Sequence, residues 1–237
     1  MAVLERGPSL TDQAAEEIRA RIVRGVFQLG EPLSEIALAN ELGVSKTPVR
    51  EALMELKRQG LVEVHPQRGT FVFDMNATQV EQLSEQRAIL ETAALALALG
   101  KDRAALGRRW REIVEAMRQA LTEDDAERYR TLDGDFHRTM FELADNPFLL
   151  EAFDLIAFRV QALRNRLSRD PDLNSTSFQE HIRLAEMVEG GAAAPIDATL
   201  RGHIEWTREH YLAALAAVGP EASAAPPRAK GRRRPSD

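Results

Sequence analysis

LGVSKTPVREAL, Leu42 to Leu53, reads as the turn and second helix of a helix-turn-helix. Gly43 follows an apolar helix that ends at Leu42, and Ser45 or Thr47 can cap the next helix. Pro48 falls in that helix's first turn, where a missing backbone N–H leaves no intrahelical bond unmade. Val49, Ala52, Leu53 and Leu56 recur at helical spacing, while Lys46, Arg50 and Lys57 share roughly the opposite face. One face packs, and the other is free to meet phosphates.

Working outward, Leu10, Ala14, Ile18 and Ile22 form one apolar stripe, and Ile36, Ala39 and Leu42 lie near another. The turn-rich Gly25 to Pro32 separates them, so three short helices are expected. After Gly60 the pattern changes to alternation: Val62 and Val64, a Pro66-Gln67-Arg68-Gly69 turn, then Phe71 and Phe73. This predicts a two-stranded wing with a basic tip. A helical hairpin or a Pro-Gly turn alone implies little, but a capped basic helix followed at once by a basic-tipped hairpin points to double-stranded DNA.

At this point the chain resembles the GntR family of bacterial transcription regulators. The resemblance rests on LANELGVSKTPVREALMELKRQGLVEVHPQRGTFV, Leu38 to Val72, a long ungapped stretch. It implies that Ser45, Lys46, Thr47 and Arg50 approach DNA from the recognition helix and that the Arg68-Gly69 tip reaches the minor groove. The chain departs from the family pattern in having Ile36 and Ala37 where some members carry arginine, and Lys46 where arginine is common. Lysine lacks the planar fork for bidentate contact with guanine, so the motif does not specify an operator sequence.

The 237 residues suffice for two domains, and 44% apolar with 29% charged is an ordinary globular composition. No apolar run is long enough to span a bilayer, the N-terminus lacks a basic flank leading into an apolar region, and there is no cysteine. A cytoplasmic protein is expected. The net charge of -6 is unevenly spread: residues 1–76 carry -2, residues 221–237 carry +3, and the middle carries -7. Between Ser45 and Thr70, five basic residues stand against three acidic ones. A small basic face on an acidic body suits specific DNA binding without indiscriminate coating.

The expected division is a winged helix-turn-helix over residues 1–73, a linker over 74–78, an all-helical bundle over 79–218, and a disordered basic tail over 219–237. The fold class is therefore mainly α. Six helices are predicted in the bundle: Gln79 to Leu99, Arg103 to Leu121, Asp124 to Leu143, Pro147 to Leu167, Ser175 to Glu189 and Ala194 to Ala217. Asn146-Pro147, Asp170-Pro171 and Gly190-Gly191 punctuate them.

Polar residues stand on stripes that otherwise read as buried. Asp133 and His137 are one turn apart, in line with Tyr129 and Met140; His181 lines up with Leu184 and Val188, and His203 with Ile196, Leu200 and Thr207. Burying such groups is costly unless they are paired, hydrogen-bonded or bound to a metal. A single histidine there is usually a hydrogen-bonded core residue. Three of them with a carboxylate, on inward stripes of one bundle, suit a divalent metal.

The second part of the chain is similar to the FCD ligand-binding domain of the FadR subfamily of GntR regulators, on LDGDFHRTMFELADNP, Leu132 to Pro147, and FQEHIRLAEMVEGG, Phe178 to Gly191. That resemblance implies that Asp133, His137, His181 and His203 hold a divalent ion, whereas His65 and His210 match no ligand position. Nitrogen and oxygen donors accommodate Zn, Ni, Co, Mn or Fe, and availability favours zinc. An ion with open positions can take the carboxylate of a small organic acid. Arg87 is a candidate clamp for that effector, with an internal pair to Glu91 as its alternative, and Arg159 is a second candidate.

The expected protein is a homodimeric, ligand-responsive repressor on a pseudo-palindromic DNA operator, with no membrane partner and no enzymatic activity. A metal-dependent hydrolase in the helical domain is the alternative from another class. The chain offers no obvious separate general base, and DNA binding already accounts for the N-terminal 73 residues.

Overall fold

The computed structural model describes residues 7–167, 171–191 and 196–218. The fold is mainly α, with a small sheet in the N-terminal head. The expected basic tail, residues 219–237, and the expected start of the last helix at Ala194 lie outside the described residues.

The head begins with α1 (Leu10–Val23), started by a reciprocal capping box between Ser9 and Asp12. Ile18 and Ile22 are fully buried, but Leu10 is 56% exposed because it belongs to the surface cap rather than to the packed stripe. Helix α2 (Glu35–Leu42) is capped by Ser34 and stops at Gly43, whose φ of 67° is left-handed and suits glycine. Its buried residues are Leu38 and Ala39, while Ile36 points outward. Helix α3 (Lys46–Arg58) buries Val49, Ala52, Leu53 and Leu56, as its periodicity predicts.

The expected two-stranded wing is a three-stranded antiparallel sheet. Strand β1 (Pro32–Leu33), from the loop before α2, joins β2 (Val62–His65) and β3 (Gly69–Val72) in the order β1-β3-β2. Val62 pairs with Val72 and His65 with Gly69. The Val62–Val72 pair is buried near the head core, whereas Val64, nearer the tip, is exposed. The tip turns through positive φ at Gln67 and Gly69.

The helical part opens with α4 (Ala77–Thr122), capped by Asn76 and Gln79, so the last two residues of the expected linker are already helical. The two helices predicted between Gln79 and Leu121 form one element broken at Asp102 (φ -151°, ψ 80°). The Asp102 carboxylate accepts from the Ala105 N–H at 2.8 Å and so caps the second half. Helices α5 (Ala126–Ala144), α6 (Pro147–Leu167), α7 (Pro171–Glu189) and α8 (Ile196–Val218) complete the described bundle. Trp110 of α4 stacks on Phe136 of α5, and its indole N–H donates to the Phe136 carbonyl at 2.9 Å. That contact fixes α5 at the turn that carries His137.

Helix α6 belongs to both parts. Phe153, Ile156, Val160 and Leu163 pack into the bundle core, while Ala162 is fully buried in the core of the head. The Arg159 guanidinium donates to the Gly60 carbonyl at 2.8 Å, and Asn165 donates to the Val23 carbonyl at 2.7 Å. Arg19 lies 4.9 Å from the centre of the Phe158 ring. Gly60 meets two demands at once: its φ is 68°, and a Cβ there would fall 1.2 Å from a terminal nitrogen of Arg159.

Candidate functional site

In the head, Ser45, Lys46, Thr47 and Arg50 are all exposed at the start of α3, and Arg68 and Gly69 are exposed at the sheet tip. Ser45 occupies the N-cap position but its side chain makes no capping bond. The Arg50 fork is held by Glu35 of α2, with nitrogen–oxygen distances of 2.9 and 3.1 Å. Glu35 therefore sets where that guanidinium points. Arg68 lies over the Phe71 ring, 5.8 Å from its centre, which props the tip residue away from the sheet.

The helical part buries the polar set that its stripes predict. Asp133, His137, His181 and His203 are each at most 2% exposed. Helix α5 carries Asp133 and His137, α7 carries His181, and α8 carries His203. One potential ligand nitrogen from each of the three imidazoles lies within 4.8 Å of the others. His181 Nε2 is 3.5 Å from His137 Nε2 and 3.7 Å from Asp133 Oδ1.

Two carboxylates orient the rings from behind. Glu91 Oε2 lies 2.8 Å from His137 Nδ1, and Glu180 Oε2 lies 2.7 Å from His203 Nδ1. A carboxylate on Nδ1 leaves Nε2 as the lone-pair nitrogen, the arrangement that metal-binding histidines use. His203 Nε2 and His181 Nδ1 are buried without a hydrogen-bond partner among the described residues. Unsatisfied imidazole nitrogens at the centre of a histidine cluster fit a divalent cation, and with Asp133 they supply enough donors to hold one.

Burial pushes all three histidines toward the neutral form that a metal requires. His203 is lowered to about 4 against the partial opposition of Glu180, and His181 is held well below its ordinary value by burial and the neighbouring cationic partners. His137 is lowered by burial despite the Glu91 charge. Burial would raise Glu91, but Arg87 and His137 outweigh it and keep the carboxylate far below its usual range.

Two buried arginines face the same cluster. Arg87 Nε donates to Glu91 at 2.6 Å, and its Nη2 lies 2.9 Å from His137 Nε2. Arg164 of α6 forms an ion pair with Asp133 Oδ2. Both line a cavity of about 220 Å³, together with His137, Gln161 and the apolar side chains of Phe153 and Val160. The cavity can take a small ligand with an anionic end against the guanidiniums.

Of the two predicted effector contacts, Arg87 makes the internal pair to Glu91 and also lines the cavity. Arg159 points elsewhere: it reaches the Gly60 carbonyl on the head. The residue that sequence reasoning overlooks is Arg164, although Ile156, Val160 and Arg164 follow one another at four-residue spacing on α6. Glu91, one turn beyond Arg87, and Glu180, beside His181, are the other available signals. His65 is part-exposed beside Glu63, and His210 bonds the Trp206 carbonyl, so neither joins the cluster.

Comparison with known proteins agrees with both halves. Residues 10–72 match the model for bacterial regulatory proteins of the gntR family, and residues 82–205 match the FCD domain. The chain is similar to the Nta operon transcriptional regulator of Aminobacter aminovorans, at 30% identity over 86% of this chain and 97% of that one. It is also similar to the gluconate operon transcriptional repressor of Bacillus subtilis, at 28% identity over 63% of this chain and 65% of that one. A GntR transcriptional regulator of Rhodococcus sp. RHA1 shares the fold, with a TM-score of 0.76 and 22% identity across 87% of this chain and 99% of that structure.

The protein is thus a winged-helix transcription regulator with an appended helical sensing domain. It belongs to the gntR family, in the branch that carries an FCD domain. Its family consists of DNA-binding regulators rather than enzymes, and none of its described helices is long and apolar enough to cross a membrane.

Proposed function

We propose that this protein is a cytoplasmic, homodimeric repressor that leaves a pseudo-palindromic operator when a small organic acid binds beside a divalent metal. The observation that carries the reading is the buried cluster of His137, His181 and His203, two of them with unpartnered nitrogens, next to a cavity lined by Arg87 and Arg164. Asp133, His137, His181 and His203 would hold the ion, with zinc favoured on availability over Ni, Co, Mn and Fe. Bound there, the ion would supply a Lewis-acid position for an effector carboxylate. A relative named for a gluconate operon supports an organic acid, since gluconate is itself a carboxylate.

In the head, Ser45, Lys46, Thr47 and Arg50 would enter the major groove, and Arg68 and Gly69 the minor groove. A second copy would pack on α4, where Ile89, Ala93 and Leu97 form an exposed apolar stripe at four-residue spacing. Helix α6 links the two halves: Arg164 faces the cavity, while Arg159, Ala162 and Asn165 hold the head. A shift of α6 on ligand binding would therefore change head orientation, and half-sites at fixed helical phase tolerate little of that.

The test is elemental analysis of untagged protein, followed by operator titration with and without small carboxylates. About one ion per protomer, lost in His137→Ala and His203→Ala, is expected together with weaker operator binding in the presence of one carboxylate. Absence of metal after attempted reconstitution would leave the histidines as a hydrogen-bonded core and defeat the sensing model.

A further inference from the structure

We infer that Arg164 and Arg87 are place-holding cations: they occupy the donors of the metal-free site, yield them to the ion, and then bind the effector's negative charge. The inference rests on the metal reading above and deepens it.

Both donors already have partners. Arg164 sits on Asp133 Oδ2, and Arg87 Nη2 sits 2.9 Å from His137 Nε2, the lone-pair nitrogen left by the Glu91 contact on Nδ1. An ion bound by Asp133 and His137 must replace both guanidinium contacts. A bare carboxylate this deeply buried would be strongly disfavoured, so Arg164 stabilises Asp133 when no ion is present and competes with any ion that arrives.

Charge balance then selects the ligand class. The fully buried groups are two guanidiniums, Arg87 and Arg164, and two carboxylates, Glu91 and Asp133, while burial keeps the histidines neutral. That set is balanced without a metal. A divalent ion adds two positive charges in a cavity walled by Phe153 and Val160, where uncompensated charge is expensive. The ligand that restores balance is a compact dianion, and a dicarboxylate fits. One carboxylate can meet the ion and the other Arg164, once the latter has been released from Asp133. Arg87 keeps its 2.6 Å bond to Glu91, so it positions while Arg164 does most of the recognition.

The scheme requires metal and anion affinities to move in opposite directions when Arg164 is neutralised, a signature that a merely structural role would not produce. Zinc affinity is measured by competition with a chromophoric chelator, and succinate binding by calorimetry on zinc-loaded and zinc-free full-length protein. Arg164→Met is expected to bind zinc about tenfold more tightly, because Asp133 no longer has a competing partner. The same variant is expected to bind succinate at least about tenfold more weakly than wild type when zinc-loaded. Arg164→Lys, which keeps the charge and guards against a folding defect, should hold zinc like wild type and recover part of the succinate affinity. Wild type should take up succinate only when zinc-loaded, and more tightly than acetate.

Unchanged or weaker zinc binding in Arg164→Met, with wild-type zinc still dependent on His137, overturns this inference and leaves the metal site standing. Equal succinate affinity with and without zinc, or acetate binding as tightly as succinate, also overturns it. Failure of the wild type to bind zinc at all would overturn both readings.

Discussion

The head and the helical body handle polar residues in opposite ways. In the head the core is apolar, built on Ile18, Ile22, Val49, Leu53 and Leu56, and the DNA-facing Ser45, Lys46, Thr47 and Arg50 lie in solvent. In the body the functional set is itself the core: Asp133, His137, His181 and His203 are buried among Phe136, Met140 and Leu184. A surface that reads DNA can change without disturbing what holds it up. A buried sensor cannot, because each of its groups satisfies another.

That contrast is open to attack from its strong end first. Asp133→Ala leaves the Arg164 guanidinium without its carboxylate in the protein interior, and is expected to destabilise the chelator-treated protein by about 3 kcal/mol or more in urea unfolding. A loss within the spread of surface substitutions would remove the distinction. Acid is the next probe. A histidine that is neutral in the fold but titrates normally when unfolded takes up its proton preferentially in the unfolded state, so stability must fall as pH drops from about 6.5 toward the folded value of about 4 for His203. Urea midpoints of metal-free protein measured across that range should fall more steeply in wild type than in His203→Gln.

On the head the same logic predicts the reverse pattern. Arg50→Ala should weaken operator binding by about 1–3 kcal/mol in a salt-matched titration while leaving the melting temperature and metal content close to wild type. An equal loss of stability would mean that the Glu35 contact is structural. At the seam between the halves, Gly60→Ala should cost about 1–2 kcal/mol through left-handed strain, plus the displacement of Arg159. In an Arg159→Ala background only the strain should persist, which a double-mutant cycle reads directly. The smallest effect is Ser45→Ala: its hydroxyl caps nothing, so the stability change should stay below about 0.5 kcal/mol rather than the ~1 kcal/mol usual for a lost cap.

The ease of reading these regions from sequence follows the same divide. Gly43, Pro48 and the Val49 to Leu56 stripe announce local structure, because capping and periodicity are local rules. The histidine cluster is legible for a related reason: each imidazole stands on an apolar stripe of its own helix. Arg164 keeps that spacing too, yet an arginine on a helix ordinarily reads as solvated, and only the ion pair with Asp133 explains its burial. Arg159 misleads as an effector contact because the face of α6 that meets the head is defined by α1 and the turn at Gly60, far away in the chain. Strand β1 is two residues long, too short for any alternation to register. The Asp102 break is visible only as a gap between two helices, since a kink and a loop leave the same interruption of pattern.

Ala162 carries one more implication, for how the chain is made. The fully packed core of the DNA-reading head lies within its first 73 residues except for this one side chain, which arrives 89 residues after Phe73. At ribosomal speeds of roughly 5–20 residues per second, the head waits about 5–18 s for the piece that closes it. During that interval the apolar patch that α6 later covers stays open. The order of synthesis thus gives a nascent head no complete fold until most of the sensing domain exists, so a regulator truncated before α6 would have an unfinished DNA-reading surface rather than a permanently active one.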